Sequence, residues 1–205
     1  MQKNKERTRS AILAAVGSLL AREGFRNLGI NAVAREAAVD KVLIYRYFGG
    51  MEDLLKAYAA EGDFWPSSEE LMLAIQKAEP RTDAELAGAL LIEFGRALRR
   101  RPVTQEILRW ELLERNELTD TLARYREEEG MKLLKLLSRN GADDLDLAAI
   151  GSLLAAGQTY LILRSRTVDV YNGLKLDDEQ GWERLEDAIR KIVALAFSKN
   201  LQVVD

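Results

Sequence analysis

Apolar residues return along most of this chain every three or four positions, the period of an α-helix. Ile12, Leu13, Val16, Leu19 and Leu20 form one such stripe, and Gly24 stops it. Ile30, Val33, Ala34 and Ala37 stand at i, i+3, i+4 and i+7 and mark one face of a second helix. Gly29 is placed to cap it, though without a side-chain oxygen. Ala37-Ala38-Val39 reads as a turn, and Asp40 suits the N-cap of a third helix. In that helix Ile44 and Phe48, four apart, point inward with Val39, leaving Lys41, Val42, Leu43, Tyr45, Arg46 and Tyr47 on the other face. Gly49-Gly50 breaks the helix, and Glu52 and Asp53 suit the positive end of the next one.

The rest also reads as helices. One runs over 51–63 and is broken by Trp65-Pro66-Ser67, and a short one covers 68–77. Thr82 or Asp83 caps a helix over 84–100, and Pro102 opens another. Helices follow over 118–139, closed by Asn140-Gly141, over 146–166, and over 179–199 after a polar loop at 169–178. The expected fold is all-α: an N-terminal three-helix helix-turn-helix domain, 1–50, and a larger helical domain, 51–205.

Charge divides the chain in the same way. Residues 1–48 hold nine Lys/Arg and four acids, a net of +5, whereas the whole chain is −3. A basic head on an acidic body turns the head toward phosphate. The clustering carries this signal, since any single cation, Arg22 and Arg35 above all, reads as a solvated helix face. With no Cys there is neither a disulfide framework nor thiol chemistry. No run of apolar residues is expected to reach the ~18 needed to span a bilayer. The basic N-terminus leads into an amphipathic helix rather than a secretory segment, so the expected location is cytoplasmic, with no membrane partner.

Enzyme chemistry finds little footing. Without His or Cys there is no Ser-His-Asp triad, no Cys nucleophile and no zinc site of the usual kind. No Gly-rich phosphate loop is present, and the helical carboxylates read as surface charge. Neither a catalytic residue, a metal site nor a cofactor is expected.

Residues 7–55 resemble the DNA-binding domain of the TetR (tetracycline-repressor) family of bacterial transcription regulators. The residues that carry the resemblance are Ile12, Ala15, Gly24-Phe25, Val33-Ala34, Ala37-Ala38-Val39, the run Leu43-Ile44-Tyr45-Arg46-Tyr47-Phe48, then Glu52 and Leu54-Leu55. Three positions depart from the family's usual pattern. Ala38 stands where the turn commonly has Gly, Gly29 where a Thr hydroxyl meets a phosphate, and Met51 where a Lys often holds one. Lys3, Lys5, Arg7, Arg9 and Arg26 are the cations expected to compensate.

The resemblance implies a homodimer meeting a palindromic DNA operator, with half-sites ~34 Å apart or somewhat more. Base reading falls to Lys41, which can donate to guanine, and to Val42 and Leu43, which can touch a thymine methyl. Asp40 could accept from cytosine, but capping is its simpler role. Tyr45 and Tyr47 have hydroxyls suited to phosphate; Arg46 and Asn31 can reach a phosphate or a base, and Gly29 offers its backbone N–H.

Helices 146–166 and 179–199 are expected to pair with their copies as a four-helix bundle through Leu153, Gly157, Leu161, Leu185, Ile189, Ile192, Val193 and Ala196. An intrachain core is the alternative. The resemblance also places a small-molecule effector pocket in the larger domain. Phe94, Leu98, Ile107, Trp110, Tyr125 and Tyr160 either line it or simply fill the core, and the expected effector is small and apolar. Its binding would shift the spacing of two heads and release the operator, making the protein a repressor. The competing reading is a helical adaptor that no longer binds DNA.

Overall fold

A computed structural model describes residues 2–61, 63–76, 79–113, 115–138 and 146–198. Ten helices account for most of them: α1 (Gln2–Glu23), α2 (Ile30–Glu36), α3 (Lys41–Phe48), α4 (Met51–Glu61), α5 (Ser68–Ile75), α6 (Asp83–Arg99), α7 (Pro102–Glu111), α8 (Glu117–Ser138), α9 (Leu147–Arg164) and α10 (Glu179–Ser198). The all-α expectation holds, and the helix ends fall where the caps stand. Ser67 accepts from the Glu70 N–H at 3.1 Å, Thr82 from that of Glu85 at 3.2 Å, and Asp146 from that of Ala149 at 2.9 Å. Pro102 occupies the first turn of α7, where a missing N–H costs nothing. The stop expected at Asn140-Gly141 lies outside the described residues.

Helices α1–α4, α7 and the first half of α8 pack as one compact unit, residues 1–65 with 101–128. Ile12, Val16, Leu20, Ile44, Leu54 and Leu55 are fully buried there, together with Ile107 of α7 and Leu122 of α8. Thr104 on α7 donates its hydroxyl to the Phe64 carbonyl at 2.5 Å, and Phe64 stacks obliquely on Tyr58, 5.8 Å between centroids. The packing therefore does not divide at residue 50. Leu54, Leu55 and Tyr58 bury one face of α4 in the head's core, and a distant segment, α7, closes it.

The second unit comprises residues 66–100 and 129–205. In it α6 packs between α5 and α10 and also against α9. Leu71, Ile75, Leu90 and Ala97 form one apolar cluster, and Ala87, Ile92, Ile189 and Val193 a second. Charged groups lace α6 to α10: the Arg96 guanidinium forks onto Glu186 at 2.7 and 2.6 Å, and Arg99 lies 4.4 Å from the Trp182 ring centroid.

Two expectations are corrected in this unit. The segment read as a polar loop holds a two-stranded antiparallel hairpin, β1 (Val170–Tyr171) and β2 (Leu174–Lys175). Its turn residues Asn172 and Gly173 both have positive φ, 49° and 78°, which suits the right-handed twist of a tight hairpin. Trp182 of α10 holds the hairpin by donating its indole N–H to the Leu176 carbonyl at 2.9 Å. The second correction concerns membrane-spanning segments. The 18 residues of α9 are long and apolar enough to cross a bilayer, because its few polar residues are spread among Leu, Ile and Ala. Only Gln158 and Ile162 of this helix are buried.

Candidate nucleic-acid interface

The turn between α2 and α3 is built from short backbone links. The N–H of Ala38 reaches the Arg35 carbonyl at 3.2 Å, and that of Val39 reaches Ala34 at 2.9 Å. Ala38 takes the left-handed conformation, φ 53°, in which its Cβ is crowded. Asp40 then caps α3, accepting from the Val42 N–H at 2.8 Å, so its carboxylate is committed to the helix rather than to a base. Val33, Ala34, Ile44 and Phe48 are buried and fix the two helices on α1 and α4.

This burial fixes which face of α3 meets solvent. Lys41, Val42, Tyr45 and Arg46 are exposed, Val42 at 62% and Tyr45 at 53%. Leu43 and Tyr47, four apart, are half-buried at the edge of that face. Lys5 at the tip of α1 lies over the Tyr47 ring, its Nζ 5.9 Å from the centroid, which brings one of the compensating cations beside the expected phosphate-contacting tyrosine. Asn31 is exposed in the first turn of α2, and Gly29 caps that helix with no side-chain bond. Met51 is half-buried against the head's core.

The remaining cations divide into two groups. Lys41, Arg46, Lys5, Arg7 and Arg26 are exposed. Arg9 is occupied: it forks onto Glu61, one arm at 2.9 Å, and lies 4.8 Å from the Phe48 ring centroid. Arg22 pairs with Glu23 and Glu36, each at 2.9 Å, and holds the Glu36 carboxyl below the usual range through its hydrogen bonds. The side chain of Lys3 lies outside the described residues. Three of the head's acids are thus turned inward on the head itself, Glu23 and Glu36 to Arg22 and Asp40 to the α3 cap.

The expected effector residues are dispersed between the two units. Ile107, Trp110 and Tyr125 pack into the core of the first unit with Ile12 and Leu20. Phe94 packs against the Leu71–Ala97 cluster of the second, Leu98 is fully buried, and Tyr160 is half-exposed with its ring edge on Tyr171, 5.7 Å between centroids. None of the six lines the cavity in the second unit, whose walls are α5, α6 and α10. Size and aromaticity alone point equally to a pocket wall and to a core.

The expected dimer residues also divide. Ile189 and Val193 are buried against Ala87 and Ile92 of α6 within the chain's own second unit. Leu185 also packs on that cluster, while Leu161 and Ala196 are half-buried. Leu153 and Ile192 remain exposed, at 74% and 47%, as does Gly157.

Residues 12–58 match the model of the bacterial regulatory proteins, tetR family. Among curated proteins none matches the chain. Solved structures share the fold at low identity. A TetR family transcription regulator from Marinobacter aquaeolei VT8 superposes with a TM-score of 0.67 at 16% identity, covering 93% of this chain and 97% of its own. The fatty acid degradation regulator FadR from Bacillus halodurans gives 0.65 at 18%, covering 89% and 96%. GusR of Salmonella enterica gives 0.62 at 17%, covering 94% and 96%. The N-terminal helices of this chain therefore match the helix-turn-helix domain of the bacterial tetR family, and the chain as a whole shares the fold of the TetR-family regulators on which it superposes.

Proposed function

We propose that this protein is a ligand-responsive repressor that binds a palindromic DNA operator as a homodimer and is released by a small apolar effector. One observation carries the DNA reading: the outward face of α3 presents Lys41, Val42, Tyr45 and Arg46 to solvent on a helix whose opposite face is locked into a core. Exposed Val and Tyr beside two cations are poorly explained as ordinary surface, and they fit a major groove, where cations donate to guanine and apolar groups meet thymine methyls.

The dimer reading rests on α9 and α10. Leu153, Tyr160, Ile192 and Leu195 are large apolar groups left 47% to 74% exposed on these two helices. Leu153 and Tyr160 stand two turns apart on α9, and Ile192 and Leu195 one turn apart on α10, so each helix leaves an apolar face for a partner to cover. A second copy of the same two helices would bury them in an isologous contact, and the two α3 helices would then face two half-sites. A membrane is the competing occupant for α9, but Gln158 ties that helix to α6, donating to the Leu91 carbonyl at 3.2 Å.

Selection of bound duplexes from a random DNA library by the purified protein tests the reading. A palindromic winner supports it, and absence of any enrichment overturns it. Sedimentation in parallel separates the two claims, since a stable monomer at micromolar concentration removes the dimer while leaving the single-head contact to be judged on its own.

A further inference from the structure

Helix α9 is apolar on nearly every side, so burial alone gives it no preferred rotation on its neighbour. Gln158 and Ile162 are the two residues it buries. A turn about its axis would put Ile150, Leu154 and Leu161 in their place, a ridge as apolar as any core face. Yet the side that α9 turns to α6 is the one that carries its glutamine.

That contact is a close fit. Gln158, 5% exposed, donates its carboxamide N–H to the Leu91 carbonyl of α6 at 3.2 Å. Within an α-helix the same carbonyl serves the N–H one turn on, here that of Gly95. Residue 95 has no side chain, which leaves the flank of the carbonyl open. A Cβ built on Gly95 would stand 2.3 Å from the Gln158 Oε1 and 3.3 Å from its carboxamide carbon. Among the described residues no donor reaches that oxygen. A buried amide with one end unmatched costs about what its single bond returns, so the carboxamide adds little stability. What it supplies is geometric. A buried amide tied to one backbone carbonyl is satisfied in one register and stranded in every other, as single polar groups are in the seams of coiled coils.

We propose that Gln158 and the notch at Gly95 form a register lock, which fixes the rotation of α9 on α6 and so selects the face of α9 that a second copy of the chain meets. With Gln158 turned inward, Leu153 and Tyr160 are left on the exposed side. The lock stands on contacts within the second unit; its consequence for assembly rests on the dimer reading above.

Amide NMR spectra of the full-length protein test the lock, and sedimentation tests its consequence. Gln158→Met keeps the length of the side chain and removes the donor. The expected result is a Tm lowered by no more than about 3 °C, with multiplied or broadened α9 resonances, since a core loses uniqueness before stability. Gly95→Ala, which keeps the glutamine and fills the notch, should do the same to the α9 resonances. In sedimentation the single wild-type dimer should give way to a mixture of species in Gln158→Met. One sharp set of α9 resonances in both variants overturns the lock. Loss of the helical fold in Gln158→Met also overturns it, by making the carboxamide a support of stability. A uniform dimer in Gln158→Met despite multiplied resonances overturns the selection of the dimer face. A wild-type monomer whose α9 resonances are single, and multiply in Gln158→Met, removes the dimer reading and supports the lock.

Discussion

The Trp110 indole covers Gly24 so closely that a Cβ built on the glycine meets Cδ2 of the ring at 2.9 Å. Gly24 also has φ +71°, a conformation in which an L side chain is strained. The end of α1, which positions the helix-turn-helix, is thus sealed by a residue 86 positions away on α7. The head does not end at α3 or α4; its core is completed by a later piece of the chain.

Gly24→Ala is expected to destabilise the first unit by at least about 2 kcal/mol, of which left-handed strain supplies ~1–2 and displacement of Trp110 the rest. Denaturant unfolding followed by tryptophan fluorescence measures it. A loss well below 1 kcal/mol would show that the α1–α7 seal is loose.

The turn at Ala38 carries the opposite opportunity. Its φ of 53° crowds a Cβ that does no packing, since the residue is exposed. Ala38→Gly relieves ~1–2 kcal/mol of strain and gives back ~0.5–1 to unfolded-chain entropy. The expected outcome is a net gain of about 0.5–1 kcal/mol with no change in DNA affinity. A destabilised variant would contradict this account of the turn.

Lys41 and Tyr47 are assigned different work, Lys41 at the outer face of α3 and Tyr47 at its edge beside Lys5. Lys41→Ala should change sequence preference, costing about 1–3 kcal/mol at one base pair. Tyr47→Phe should weaken binding to all duplexes alike. Affinities for a panel of single-substitution operators distinguish the two; equal effects at every site would contradict the division.

Arg9 separates cations that hold the fold from cations that hold DNA. It forks onto Glu61 and covers Phe48, so Arg9→Gln is expected to cost about 1 kcal/mol of stability. The same variant should leave the salt dependence of DNA binding unchanged. Loss of one unit of salt slope without loss of stability would place Arg9 on a phosphate instead.

Glu111 gives a pH signature. Its carboxyl is mostly buried, and burial lifts its pKa above the ordinary value although Arg126 at 2.7 Å pulls part-way back. A carboxyl with a raised folded pKa binds its proton more tightly when folded, so its contribution is full below the unfolded pKa and is lost as pH rises through the folded one. Unfolding of the wild type and of Glu111→Gln, compared from about pH 4 upward, should shift against the wild type as pH rises. A shift in its favour would reverse the sign argued here.

The helix-turn-helix was readable because its signals are local: spacing of Ile30, Val33, Ala34, Ile44 and Phe48, an Asp cap and a glycine stop all fall within twenty residues. The hairpin was also written locally, in Asn172-Gly173 flanked by Val170-Tyr171 and Leu174-Lys175, but strands two residues long carry no alternation to read. The reach of the first unit was not local at all. Ile107 and Trp110 have the pattern of any core helix, and nothing in their spacing says that their core belongs to α1.

The same limit governs α10. Ile189, Ile192 and Val193 are consecutive apolar positions of one helix, yet two face α6 and one faces solvent, a distinction set by neighbours and not by composition. The cavity is harder still, since it arises from what Ala84, Gly88, Ala89 and Ala194 lack. Small residues in a sequence read as close packing as readily as they read as space.

Salt titration of affinity for the selected duplex tests the central claim most directly, because counterions released from DNA report phosphate contacts. The account predicts a steep linear fall of log Kobs with log salt for the wild type. Lys5→Gln should lower the slope by about one unit for each head engaged, and Ala38→Gly and Arg9→Gln should leave it in place. A flat salt dependence, or binding equally strong to every duplex, would contradict the assignment of the α3 face to an operator.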